Sequence, residues 1–325
     1  MSENLENTFE KELMNDNFTF VFDKIKDLKY GENPSQSAAL YTNDSAVDYE
    51  VMFGKELSYN NILDISVAAK ISSEFYDVNC SVIVKHSSPC AVALGKTLRE
   101  SCEKALDCDP ISVFGSSVSF TKAVDVEMAG LLSQVNFECI VAPDFTPETL
   151  DLFKNKTTKL VKLNTPLKNF KKYLSCEIEI TPFGTLIQEN NSQELTKDNF
   201  NVVTKLKPTT EQIEDMVFAW KIVKHAKTSA IVVAKDFKAI GIAQGMTNRI
   251  DAVETALNRA CDSSKDAVLA SDGAFLSVDN VLAAAQGRIK AIIQTGGDKK
   301  DKEIIACANK YEISMIMTGI RHFKH

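Results

Sequence analysis

No stretch of this chain approaches the ~20 consecutive apolar residues of a membrane-spanning helix, so no membrane role is expected. The opening residues, MSENLENTFEKELMNDN, lack both the basic start and the apolar centre of a secretory signal, which makes a cytoplasmic location the expectation. Like charges nowhere form a block, and no basic face accompanies the net charge of −7, so nucleic acid is not expected as a partner. The eight cysteines include no C-x-x-C pair. Most lie inside apolar or helical runs and read as free thiols rather than disulfides or structural zinc ligands.

What is present fits a globular chain. Its 325 residues, 44% hydrophobic and 25% charged, suffice for one large or two ordinary domains. Residues 1–17 read as a mobile tail. From about residue 55 onward, short apolar runs alternate with amphipathic stretches. NILDISVAAKISSEFYD has helical period and SVIVK is a continuous apolar strand; helix TLRESCEKALD, strand ISVFGSSVSF, helix VDVEMAGLLSQ and strand ECIVAP follow. Residues 150–205 are less regular, rich in Lys, Asn and Thr, and read as a connection. Pro208-Thr209-Thr210-Glu211 then opens a helix, followed by strands AIVVAK and AIGIA, helix RIDAVETALNRAC, and strands AVLAS, KAIIQ and ISMIM separated by helices. The pattern predicts an α/β fold with a sheet covered on both faces. A shared ordering and a VKH tripeptide at 84–86 and 223–225 hint at duplication.

Polar residues collect where strands end: Lys85-His86-Ser87-Ser88, Asp144, Ser271-Asp272, Thr295-Gly296-Gly297-Asp298, and the terminal TGIRHFKH. Ligands of open α/β sheets bind outside the carboxyl ends of strands. Three of the four histidines lie just beyond such ends. His86 with Pro89-Cys90 looks like half of a zinc-deaminase signature. That signature needs a Glu two residues after the His and a second Cys after the first; Ser88 and Ala93 stand there instead. One thiolate without the proton shuttle is not a zinc site. Lys85 and His86 would point to opposite faces of a strand unless the chain leaves it there. Ser88-Pro89 fits a helix N-cap with proline at the first helical position, and a helix start beside a Lys and a His suits anions and developing negative charge.

LKYGENPSQSAALY, GKELSYNNILD, VIVKHSSPC, DPISVFGSSVSF, ECIVAPDF, AWKIVKHAKTSAIVVAKD, IIQTGG and MTGIRHFKH occur in the order of one family. Over about residues 18–325 the chain resembles the AICAR transformylase region of the bifunctional purine-synthesis proteins that also carry IMP cyclohydrolase. The cyclohydrolase domain that precedes this region in the family is missing. The resemblance therefore implies a stand-alone transformylase, with a separate IMP cyclohydrolase as a candidate partner. It also implies two cytidine-deaminase-like α/β/α domains without catalytic zinc, here 18–205 and 206–325, and a homodimer with active sites near the subunit interface.

The implied reaction moves a formyl group from 10-formyltetrahydrofolate, as co-substrate, to the 5-amino group of AICAR. That amine is a weak nucleophile, so a base must take its proton, and attack on the formyl carbon makes an oxyanion. A His titrating near ~6.5 suits the base, and a Lys near ~10.4 stays cationic. By the family pattern His86 is the base and Lys85 the oxyanion stabiliser, with His325 orienting His86. Lys29, Tyr30, Gly115, Glu138, Ser229, Arg249 and Arg321 match AICAR-binding positions, Arg321 as a phosphate contact. Ile250, Asp279, Asp298 and Lys299 match folate-contacting positions. Several positions depart from the pattern. Lys29 replaces an arginine and loses its bidentate fork, and Thr295 stands where the family has proline. Ser229 replaces an asparagine, Ala274 a phenylalanine and Val278 an arginine, and Ala243-Gln244 replaces Gly-Ala. These changes motivate a second reading, a diverged paralogue that binds a nucleotide or a partner protein without transferring formyl groups.

Overall fold

The computed structural model describes residues 17–42, 46–173 and 176–325, so the expected tail lies, except for Asn17, outside the described residues. A hairpin of β1 (Asp23–Leu28) and β2 (Ala38–Thr42) comes first, then β3 (Tyr49–Phe53). The next stretch runs α1 (Tyr59–Ser73), β4 (Asn79–Lys85), β5 (Ser88–Gly95), α2 (Leu98–Cys108), β6 (Ser117–Phe120), α3 (Val126–Leu132), β7 (Cys139–Ala142), α4 (Pro147–Phe153) and β8 (Lys159–Leu163). A second hairpin, β9 (Cys176–Thr181) and β10 (Gly184–Glu189), and the short β11 (Asn201–Val202) follow. The order of the first stretch then repeats. It runs α5 (Thr210–Val223), β12 (Ile231–Lys235), β13 (Lys238–Ala243), α6 (Arg249–Ala260), β14 (Val268–Ser271), α7 (Asp279–Gln286), β15 (Ala291–Gln294), α8 (Asp301–Lys310) and β16 (Ser314–Met317).

The repeat is written into the sheet. Twelve strands lie in the order β11-β16-β15-β14-β12-β13-β5-β4-β6-β7-β8-β3, which reads as the same six-strand pattern from either end. Each repeat has an antiparallel hairpin at the centre, three parallel strands beyond it, and an antiparallel strand at the rim. The two VKH tripeptides are not equivalent, since one ends β4 and the other ends α5. The stretch 150–205 is also more than a connection, because it supplies β8 and β11 to the sheet.

Alternation along the strands assigns the faces. Val82, Val84, Val232 and Ala234 meet Ala68 and Ile71 of α1 and Trp220 and Val223 of α5 on one face. Ile83 packs against Cys102 and Ala105 of α2 and Met128 of α3 on the other. Ile231 and Val233 join Val253 and Ala256 of α6 and Val281 of α7 there. Helices thus cover both faces, as expected for an α/β sheet. Local signals start the two buried helices: Ser58 with Asn61, and Thr209 with Gln212, form reciprocal capping boxes.

The helix start expected at Ser88-Pro89 fails too. Ser88-Pro89 opens β5, not a helix, and β4 and β5 form a hairpin with Lys85 opposite Ser88. Its two loop residues, His86 and Ser87, are left-handed (φ 54° and 56°), as in a type I′ turn. Proline is tolerated at the beginning of a strand, so the Ser-Pro signal served a strand start equally well.

Candidate active site

The registers put the end of β4 beside the starts of β6, β7 and β8, and the ends of β13, β14, β15 and β16 on the same sheet edge. Asp144, after β7, falls on the opposite edge. Two polar clusters occupy the shared edge.

The first surrounds Lys85 and His86. The two-residue turn lifts the chain out of the strand and leaves His86 exposed. Left-handed backbone costs an L-residue about 1–2 kcal/mol, and Asp64 of α1 offsets it, accepting the Ser87 N–H at 2.7 Å. Burial pushes the Asp64 carboxyl up, while the Ser87 and His86 main-chain groups and the His86 ring pull it back. Lys85 Nζ donates to the Phe114 carbonyl (2.6 Å) and forms no ion pair among the described residues, so its charge stays available. That carbonyl adjoins Gly115, left-handed at φ 71°. Glu138 follows through its N–H to Ser116 (2.8 Å) and pairs with Lys159 at 3.3 Å. Lys29 sits over the Tyr30 ring (5.6 Å), and its loop is tied to the first turn of α1 by Asn60 donating to the Glu32 carbonyl (3.3 Å). Cys90 is no thiolate: burial pushes it up to about 12, and Sγ donates to the Ile83 carbonyl.

The second cluster is built around Asp272, buried beyond β14. Its Oδ1 accepts from the Ala230 N–H (3.1 Å) beside Ser229 and forms a close ion pair with Arg249. Arg249 also donates to Ser271 Oγ (3.0 Å). The Phe323 ring carries two guanidinium groups, Arg321 at 4.6 Å and Arg249 at 5.9 Å. Arg249 is committed to Asp272, whereas Arg321 is exposed and forms no ion pair among the described residues. The terminal segment is tied down by His322 N–H to the Asp272 carbonyl (2.9 Å) and Thr228 N–H to the Lys324 carbonyl (2.8 Å). Ile250 follows Arg249 at the start of α6, half-buried on the core. Asp279 opens α7 and accepts from Ser277 Oγ (2.7 Å). Asp298 and the exposed Lys299 lie after Gly296 and Gly297, both left-handed. Gln294 Oε1 takes the Gly296 N–H (3.0 Å) and the Phe275 N–H (3.2 Å), which joins the Asp298 loop to the loop before α7.

The first cluster thus gathers Lys85, His86, Gly115 and Glu138, with Lys29 and Tyr30 above α1. The second gathers Ser229, Arg249 and Arg321, with Ile250, Asp279, Asp298 and Lys299 on adjoining loops. The clusters are not brought together: β4 and β14 are four strand spacings apart, roughly 19 Å. His325 contacts the Phe323 ring (6.4 Å), and among the described residues no hydrogen bond links it to His86. Sequence reasoning missed Asp64 and Phe323 as site residues and picked out Asp272 only as a polar residue at a strand end. Asp64 ends the quoted GKELSYNNILD, and nothing local marks it as a turn acceptor.

The family model described as AICARFT/IMPCHase bienzyme matches residues 1–259. The chain belongs to this family. It is 41% identical over 316 residues to the bifunctional purine biosynthesis protein PurH of Oceanobacillus iheyensis, and 43% identical over 318 residues to that of Caldicellulosiruptor saccharolyticus. Both comparisons cover 95% of this chain, which spans 61% of the length of those relatives. The PurH of Clostridium botulinum is 43% identical over 312 residues, with 94% and 60% covered.

Proposed function

We propose that this chain transfers the formyl group of 10-formyltetrahydrofolate to the 5-amino group of AICAR in purine biosynthesis. The observation that carries the reading is the turn that projects His86 from the end of β4 beside an unneutralised Lys85, in a chain of this family. His86 takes the proton of the attacking amine. The Lys85 ammonium faces the oxyanion that forms on the formyl group, where fixed charge is most effective. Arg321, with Arg249 and Ser229 behind it, meets the nucleotide phosphate, and Gly115, Glu138, Lys29 and Tyr30 flank the base end. Ile250, Asp279, Asp298 and Lys299 border the folate. His325, which sits by Phe323 in the second cluster, is assigned to orient His86 of a second copy rather than of its own chain.

The repeats correspond to two cytidine-deaminase-like domains, 18–205 and 206–325, the second drawing β11 to its rim. A homodimer fits the separation of the clusters, since a second copy supplies the missing half of each site. Support comes from the β9–β10 arm, whose Ile180, Phe183 and Leu186 are exposed, an arrangement that marks contact surfaces.

The test is to incubate the purified protein with AICAR and 10-formyltetrahydrofolate and follow tetrahydrofolate. Turnover is expected, and His86→Ala should cost ~10²–10⁴-fold. An unchanged rate in that variant removes His86 from the chemistry. No turnover above buffer, with both ligands still bound in calorimetry, favours the diverged paralogue, for which Ala274 and Val278 in place of larger groups are the structural motive.

A further inference from the structure

The His86 imidazole is presented by a backbone that His and Ser do not favour. Left-handed pairs in two-residue hairpins usually fall to Gly, Asn or Asp, yet His86 and Ser87 hold φ 54° and 56°. Asp64 lies beneath them. The Ser87 N–H donates to its Oδ1 at 2.7 Å.

The second repeat contains the same device without the histidine. Asp215 of α5 accepts from the Asp236 N–H (2.9 Å) and the Phe237 N–H (2.8 Å), again left-handed at 54° and 56°. That copy isolates the backbone duty of the aspartate. What the first repeat adds is the Lys85-His86 pair that the turn carries.

We propose that Asp64 is a positioning residue for the acid/base pair, fixing the turn that carries Lys85 and His86. The proposal rests on the reading of His86 as the base. The left-handed turn presents the Ser87 N–H to α1, and Asp64 Oδ1 is its acceptor. Without that acceptor nothing offsets the cost of the left-handed backbone, and the turn loosens beneath the imidazole.

The experiment compares Asp64→Ala, which removes the acceptor, with Asp64→Asn, whose amide oxygen still accepts, and with Asp215→Ala, the aspartate of the turn that lacks an imidazole. Asp64→Ala should lower kcat by about 10–100-fold through the loosened turn and leave KM within about twofold. Asp64→Asn should return most of the lost kcat. Asp215→Ala should lower thermal stability and leave kcat in place. Amide hydrogen exchange at Ser87 reads the loss of the same bond without turnover and should quicken in Asp64→Ala. If Asp64→Ala folds poorly, adding Ser87→Gly relieves the left-handed turn and restores a folded background. A folded Asp64→Ala protein with unchanged kcat overturns the proposal, and so does a lost kcat that Asp64→Asn does not recover. Absence of turnover in the unmodified protein overturns the functional reading instead, and the exchange comparison still decides whether Asp64 holds the turn.

Discussion

His322 and His86 share a residue type and little else. His86 stands exposed on its turn, whereas His322 is buried against the Trp220 ring (5.0 Å between centroids), with Asn191 on its Nδ1 at 3.0 Å. Burial pushes the His322 pKa down to about 4, assisted by the positive charge of Lys224. Unfolded, the same ring titrates near ~6.5, so the unfolded chain binds the extra proton first as the pH falls. The contribution of His322 to stability is therefore complete above about pH 6.5 and drains away between there and about pH 4. His322→Gln should lose less thermal stability than the unmodified protein between pH 7.5 and 5, by about 1–3 °C in Tm. Equal losses in both proteins would show that His322 does not govern this window. The sequence sets both histidines after an apolar strand. It does not show that His322 is buried, because the groups that bury it, Trp220 and Asn191, come from distant parts of the chain.

At the scale of elements, hydrophobic period places nearly every helix and strand of the two repeats, since each short apolar strand has its own polar boundary. The exception at Ser88-Pro89 is instructive. Serine before proline marks a helix start and a strand start alike, and the acceptor that stabilises the turn, Asp64, sits on another element. Close packing between elements is equally silent in the sequence. A Cβ on Gly241 of β13 would lie 2.1 Å from the Ala256 carbonyl oxygen of α6 and 3.2 Å from Ala260 Cβ. The helix rests on that strand because the glycine has no side chain. Gly241→Ala should push α6 away and cost about 1–3 kcal/mol, read as a lower urea midpoint with an unchanged slope. A midpoint equal to that of the unmodified protein would mean that the α6–β13 contact is slack.

At the scale of the whole molecule, duplication explains why chemistry is spread along one edge rather than gathered at one strand end. The repeats meet where β5 pairs with β13, and antiparallel pairing there aligns the end of β4 with the ends of β14, β15 and β16. Strand-end reasoning therefore finds residues that share one sheet edge but not their distances, which depend on sheet order. With Lys85 and His86 roughly 19 Å from the Asp272 cluster, a reaction needing both clusters calls for a second copy across the edge. Light scattering should then give twice the 35.9 kDa chain mass. Replacing Ile180, Phe183 and Leu186 of the exposed arm by serine should shift the protein towards monomer. The sharper measurement mixes two inactive variants, His86→Ala and Arg321→Ala, under conditions of subunit exchange. If each site takes His86 from one copy and Arg321 from the other, every mixed dimer holds one intact site. Random pairing then restores about a quarter of the original activity. No recovery, with mixed dimers present, would mean that one chain supplies both groups and closes the distance by moving.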